Sequence, residues 1–351
     1  MKSYLKIIIN IIITSISLSI LIGTLLKIAG PPTQNKNIFS GRRIRKNDKK
    51  EFVNGNSNFL YKNKLRQFKR LDKLTNRWEL LINKNPDLSA SAFFLSLDQE
   101  IYAEINSEVA MPAASSIKVP ILIVLLSMID SGEISWNENL ILSKYTTGGG
   151  AGWMAYQKIG TKFPVYEIAS EMIRVSDNTA TNLLIERIGG MNIINKKFKE
   201  IGLKHTKVFN LLPDLDGKNI TSAKDLSLAM AQVDSGFLLT VRSRDTFRNI
   251  MQKSKTNTLI PSGLSRGLGQ ESEGSDYSLS LKGYLVHNKT GDIGIAYSDT
   301  ALIHTPLNSR AFATFIVKGP FNDPRSTELI RNLSAELVPF LKLDQNSSNP
   351  N

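Results

Sequence analysis

Residues 115–129 read SSIKVPILIVLLSMI: a polar opening, Ser115-Ser116, then Lys118 one helical turn past the first serine, then the apolar run Val119–Ile129. Positions three apart lie on one face of a helix, so the Ser115 hydroxyl and the Lys118 amine meet at its start. A serine hydroxyl is a weak nucleophile until a neighbour takes its proton. A lysine desolvated among apolar residues has its pKa lowered towards that task. The start of a helix adds backbone N–H groups and a positive dipole end, both suited to an oxyanion. Taken singly the pair reads more simply as a surface cap and a snorkelling lysine, and Ser3 with Lys6 matches the same spacing by chance.

Two further stretches change its weight. Ser176-Asp177-Asn178 stands at the opening of an expected helix, Thr179–Ile188. All three residues are good N-caps, but the set also offers Ser176 as a proton relay and the Asn178 amide as a grip on a substrate carbonyl. Lys289-Thr290-Gly291 falls in an expected strand, where glycine weakens pairing unless another backbone must come close. There Gly291 would admit a substrate backbone, and Lys289 and Thr290 would bind a carboxylate. Around these stretches the apolar spacing predicts an amphipathic helix over Leu65–Leu81 and a hairpin of Ala92–Leu97 with Ile101–Ile105. Helices follow at Val165–Val175, Ile193–Ile201 and Ala223–Val233, the last capped by Ser222 with Asp225. Strands return at Leu281–Asn288, Ile293–His304 and Ala311–Val317, before a closing helix through Leu329, Leu333, Leu337 and Phe340.

The order S-x-x-K, S-D-N, K-T-G resembles the class A β-lactamase group of penicillin-recognising serine hydrolases. The resemblance runs from about Leu65 to Leu341 and includes Gly148–Gly152, Ser176–Leu184 and Asp299–His304. It implies an α/β (α+β) fold of the β-lactamase/transpeptidase type, with an antiparallel sheet from both chain ends, an all-helical lobe, and the site between them. It makes Ser115 the acylated nucleophile, Lys118 its base, Ser176 and Lys289 the proton shuttle, and Asn178, Thr290 and Gly291 the substrate-binding set. The N–H groups of Ser115 and Asp292 form the oxyanion hole. The implied reaction is hydrolysis of the β-lactam amide through an acyl-enzyme.

One departure bears on its second half. The family activates the deacylating water with a glutamate in a Glu-Pro stretch, and the corresponding run here, Asn210–Asn219, has Leu212 before Pro213. Asp214 and Asp216 are the nearby carboxylates. Asp214 is the candidate for deacylation, although Asp-Leu-Asp-Gly also makes a turn. The alternative functions are therefore a slow-deacylating penicillin-binding protein or D-Ala-D-Ala peptidase acting on peptidoglycan, or a non-catalytic cell-wall binding module. The arginine that the family often carries upstream of the lysine motif for a substrate carboxylate is not evident in Thr258-Leu259-Ile260-Pro261. Arg266 is the substitute, at the head of an insertion, Arg266–Ser280, expected to be a loop.

Composition bounds the remaining classes. In 351 residues, 41% apolar and 21% charged, wholesale disorder is excluded. The absence of cysteine removes disulfides, thiolate nucleophiles and cysteine metal sites, and His205, His287 and His304 lie at no metal-ligand spacing. No metal or cofactor is expected. The net charge of +13 is local: residues 1–30 carry +3 and residues 31–77 carry +11, leaving −1 for the rest. That pattern, with no aromatic residues interleaved in Arg42–Lys50, speaks against nucleic acid as a partner. Residues 7–26, IIINIIITSISLSILIGTLL, are uncharged and long enough to cross about 30 Å of hydrocarbon. The expected organisation is a membrane anchor or uncleaved signal at 1–30, a basic flexible linker at 31–58, the hydrolase domain at 59–343 and a frayed tail at 344–351. The domain is expected outside the cytoplasmic membrane as a monomer, where a β-lactam or a peptidoglycan stem peptide would be its partner.

Overall fold

The computed structural model describes residues 67–270 and 276–342. The expected anchor, linker and tail, and the centre of the 266–280 insertion, lie outside the described residues. Six strands form the main sheet: β1 (Lys69–Arg70), β2 (Ser89–Ser96), β3 (Ile101–Ile105), β8 (Leu285–Asp292), β9 (Ala296–His304) and β10 (Arg310–Lys318). Their order is β1-β3-β2-β10-β9-β8. The chain's first and last strands are thus interleaved, and β8, which carries Lys289-Thr290-Gly291, is an edge. Two short antiparallel pairs, β4 (Met111–Pro112) with β7 (Ile220–Thr221) and β5 (Asn139–Ile141) with β6 (Lys162–Pro164), complete the strands.

Helices cover both faces of the sheet. On one lie α1 (Asp72–Asn83), α8 (Ile260–Gly267), α10 (Pro324–Ala335) and α11 (Val338–Leu341), and α9 (Asp276–Leu281) joins them at Leu279. The other face meets the helical lobe: α2 (Lys118–Asp130), α3 (Val165–Arg174), α4 (Asn178–Ile188), α5 (Gly190–Glu200), α6 (Ala223–Asp234) and α7 (Val241–Met251). Burial on both faces explains why β2 shows no alternation. Phe93 and Leu95 enter the core of the helical lobe, while Ala92 and Phe94 enter the opposite core with Trp78, Phe315 and Leu333. The Trp78 indole stands edge-on to Phe315, 5.4 Å between ring centres, and donates to the Leu333 carbonyl at 2.9 Å. α2 is the centre of the helical lobe, with every residue from Lys118 to Leu126 buried.

Four expectations are corrected. The periodicity that extended the first helix back to Leu65 is not helical at its start: α1 begins at Asp72. Phe68 and Leu71, an odd number of positions apart, enter opposite cores as residues of an extended segment do, and Lys69 and Leu71 donate to the carbonyls of Glu100 and Tyr102. That pairing of β1 with β3 is parallel, so the sheet is not wholly antiparallel. The strand expected from Leu281 begins at Leu285, because Leu281 closes α9 and Gly283, at φ +79°, turns the chain. The 266–280 insertion is flanked by helix on both sides. Arg266 turns to Glu328 and Asn332 of α10.

Behind the K-T-G strand the fold brings together two histidines that the sequence keeps apart. His287 and His304 meet edge to face with ring centres 5.6 Å apart, near the buried Asp234, which accepts from Arg248 and Arg310. Burial, and then the charges of His304 and Arg248, lower His287 to about 4 against the opposing pull of Asp234. The folded state therefore favours neutral His287, and the unfolded chain takes the proton first. This contribution to stability is complete above the unfolded value near 6.5 and is lost as pH falls towards 4. We expect a loss of about 2 kcal/mol at pH 5, roughly 4–8 °C in Tm for a domain of this size. His287→Gln should flatten the difference in Tm between pH 7.5 and pH 5. An unchanged acid sensitivity would assign it to other groups.

Candidate active site

Ser115 lies in a 3₁₀ turn, Ala114–Ile117, that runs directly into α2. Ala114 is held at φ +47°, a conformation that costs a non-glycine residue free energy and persists where the surroundings over-determine it. β8 supplies that constraint. A Cβ on Gly291 would stand 2.7 Å from the Ser115 nitrogen and 2.8 Å from the Ala114 Cβ. Gly291 is therefore needed for the strand to approach the serine's own turn, and the next residue, Asp292, ends the strand beside it.

Lys118 is fully buried, and its amine is the centre of the site. Nζ lies 3.1 Å from Ser115 Oγ, 3.0 Å from Ser176 Oγ, 2.5 Å from the Ser176 carbonyl and 2.9 Å from Asn178 Oδ1. Burial, followed by the nearby charge of Lys289, holds its pKa well below the ordinary lysine value, and Asp177 opposes the shift. Ser176 has φ +60°, which turns both its carbonyl and its hydroxyl towards the lysine.

Asp177 caps α4 by accepting from the Ala180 N–H at 2.8 Å. Its other oxygen accepts from the N–H groups of Trp153 and Met154 at 2.7 and 2.9 Å. The capping reading and the site reading of this stretch are thus both present, on adjacent residues. The glycine-rich segment packs on the same helix start: Asn178 Nδ2 donates to the Gly149 carbonyl at 2.8 Å, and a Cβ on Gly152 would fall 2.0 Å from the Asp177 carboxylate. This bond fixes the amide orientation, so Asn178 Oδ1 faces Lys118 and Nδ2 faces the loop.

Lys289 is buried, and its Nζ donates to the Thr290 carbonyl at 2.7 Å. Burial lowers its pKa to about 8 against the pull of Asp299. Leu212, in the loop before α6, is buried yet joins neither apolar core. Asn182 of α4 clamps its backbone, accepting from its N–H at 2.8 Å and donating to its carbonyl at 2.7 Å. Asp214 is given to the loop itself: one oxygen accepts from Asn210 Nδ2 at 2.8 Å and the other from the Asn219 N–H at 2.6 Å. Asp216 is exposed beside Lys218.

Sequence reasoning gave no role to three positioning groups, although two of them fall in the stretches Ser176–Leu184 and Asp299–His304 that carry the resemblance. They are the Asn182 clamp, the buried Asp299, and Glu171, which accepts from the Trp153 indole at 2.6 Å and from Arg174. Only the Gly148–Gly152 run carried a local signal. Among the described residues no group of three or more metal-ligating side chains occurs, and no helix is long and apolar enough to cross a membrane.

A mixed fold with a serine and a desolvated lysine between sheet and helical lobe defines a serine hydrolase of the β-lactamase/transpeptidase type. The Beta-lactamase enzyme family is matched over residues 73–341, most of the chain, and the protein belongs to that family. Among solved structures, PBP-A is 37% identical, with a TM-score of 0.73 over 79% of this chain and 98% of that one. A leucine-to-glutamate variant of PBP-A, described as an acyl-enzyme complex with penicillin G, is 36% identical with a TM-score of 0.72, over 78% of this chain and 98% of that one. The β-lactamase BRO-1 of Moraxella catarrhalis is 27% identical over 37% of this chain and 45% of its own length. The D-alanyl-D-alanine carboxypeptidase DacF of Bacillus subtilis is 26% identical over 35% of this chain and 33% of its own. The chain thus matches less than half the length of these two curated relatives.

Proposed function

We propose that the protein is an acyl-transfer enzyme in which Ser115 attacks the carbonyl of β-lactams and of peptides ending in D-Ala-D-Ala, and that it releases the acyl group slowly. The observation that carries this reading is the hydrogen-bond arithmetic at Lys118. A neutral amine has two hydrogens and one lone pair. The Ser176 carbonyl and Asn178 Oδ1 can only accept, so they take the two hydrogens and leave the lone pair for a hydroxyl. Ser115 Oγ, at 3.1 Å, is then positioned to lose its proton to Lys118 as it forms the new bond to carbon.

Charge developing on the carbonyl oxygen would be received by the N–H groups of Ser115 and Asp292. When the C–N bond breaks, the leaving nitrogen takes the proton from Lys118 by way of the Ser176 hydroxyl, 3.0 Å from the amine. Asn178, Thr290 and Lys289 hold the substrate. Fast hydrolysis of the acyl-serine needs a base for water. The Asn210–Asn219 loop offers Leu212 at the buried position and keeps Asp214 for its own turn. This favours a persistent acyl-enzyme over the rapid β-lactam turnover that the motif order alone implies. The likeness to PBP-A, and to its variant with penicillin G, supports acylation of the same kind. A domain held outside the cytoplasmic membrane by residues 7–26 would meet such substrates.

The test is the mass of the purified protein after a short exposure to excess penicillin and removal of free drug. The expected result is one adduct of the whole penicillin mass that persists for many minutes. An adduct gone within seconds would make the protein a fast lactamase, and no adduct would leave a binding module.

A further inference from the structure

With Arg266 turned to α10, recognition of a substrate carboxylate falls to Lys289, and its value there depends on its being charged. It is buried, and its neighbour in the site, Lys118, carries charge of the same sign when protonated. One strand away, Asp299 of β9 is also fully buried, in register with Thr290, the residue next to Lys289. Among the described residues its carboxylate makes no ion pair. It accepts from the N–H of Ile260, at the start of α8, at 2.9 Å, and from Asn288 Nδ2 at 3.0 and 3.1 Å. Asn288 immediately precedes Lys289, so Asp299 is bonded to the backbone segment that carries the lysine. It lies on the opposite face of the sheet, among Tyr297, Ala301 and Phe315.

We propose that Asp299 is a positioning residue: the buried counter-charge that keeps Lys289 cationic, and so able to bind the carboxylate of the substrate, at neutral and mildly alkaline pH. The inference rests on the acyl-transfer reading of the site. The other charges around the pair are spoken for. Arg266 of α8 and Arg331 of α10 turn to Glu328. Arg248 of α7 turns to Asp234. In the site itself the remaining groups are Lys118, whose amine is bonded to Ser115, Ser176 and Asn178, and Asp177, whose carboxylate takes the N–H groups of Trp153, Met154 and Ala180. Burial drives the pair towards neutrality, raising Asp299 to about 7 and lowering Lys289 to about 8, while each favours the charge of the other. The two donors, the Ile260 N–H and Asn288 Nδ2, act on the same side, because they stabilise the carboxylate form. A carboxylate without direct contact acts here through the low dielectric of the sheet, where charges interact more strongly than in water.

The test measures the second-order rate of acylation against pH from 6 to 10, with penicillin and with a small neutral ester such as p-nitrophenyl acetate. Asp299→Asn is expected to move the alkaline limb of the penicillin profile down by at least about one pH unit. The neutral ester, which has no carboxylate for Lys289 to hold, should lose little. Asn288→Ser removes one of the carboxylate's donors while keeping the carboxylate, and is expected to move the limb the same way by less. Asp299→Glu should recover part of the parent profile. If Asp299→Asn does not fold, the Asn288→Ser shift decides. An alkaline limb unmoved in a folded variant, or equal losses for penicillin and ester, would overturn the proposal. A parent protein that takes up no penicillin would instead refute the acyl-transfer reading itself.

Discussion

Ser115→Ala is expected to take up no penicillin at all, and Lys118→Met to take it up about 10²–10⁴ times more slowly than the parent. The two losses differ in kind. The first removes the atom to which the acyl group is bonded. The second leaves that atom but removes the lone pair that receives its proton. Methionine is the right replacement because Lys118 is fully buried in the first turn of α2, where a shorter side chain would leave a void. It still leaves the Ser176 carbonyl and Asn178 Oδ1 without their donor, at a cost of about 1–3 kcal/mol for each buried group. The folded fraction must therefore be checked by thermal melting before rates are compared. Uptake of a fluorescent penicillin, read on gels and by intact mass, gives both numbers. Labelling retained in Ser115→Ala would remove Ser115 from the reaction. Lys118→Met at the parental rate would make some other group the base. The parent rate should also fall on the acid side as Lys118 gains a proton. Its buried setting and the charge of Lys289 place that fall far below the ordinary lysine range.

What the sequence made legible, and what it did not, follows from how far each constraint reaches. The three motifs could be read because each is local. Ser115 and Lys118 are one turn apart, Asp177 caps its own helix through Ala180, and Gly291 answers a close approach at its own position. The order of strands could be read in outline because both chain ends carry apolar runs buried on two faces. The parallel β1 could not, since Phe68 and Leu71 fall at helical spacing although they enter opposite cores. Asp299 could not be read either. In the run Ser298-Asp299-Thr300 it looks like an exposed polar residue of a strand, and only the packing of α8 against β9 buries it. Asn182 and Leu212, thirty residues apart, become partners through two backbone bonds that no spacing rule anticipates. Asp214 stands between turn former and deacylating base in the sequence, and both its carboxylate oxygens accept bonds within the loop.

Leu212→Glu is expected to shorten the lifetime of the penicillin adduct by roughly 10²-fold, the lower end of what a positioned general base supplies. Position 212 is suited to the change because its backbone cannot drift. Asn182 holds it from both sides, and Gly148 lies so close that a Cβ there would fall 2.3 Å from the Leu212 carbonyl. Asn182 lies one turn along the helix that Asn178 opens, and Asn178 Oδ1 accepts from Lys118, so a carboxylate at 212 is expected on this side of the site. The gain has an opposing effect. A carboxylate there favours the protonated form of Lys118, so acylation near neutral pH should slow while deacylation quickens, and the acid limb of acylation should move up. Burying an additional charge should also lower Tm. The opposite changes in the two chemical steps and the shift of the acid limb separate a working base from a merely disrupted loop, since disruption would slow both steps and leave the acid limb where it was. A folded Leu212→Glu protein whose adduct lasts as long as the parent's would mean that the lack of a carboxylate at position 212 is not what makes the acyl-enzyme persist.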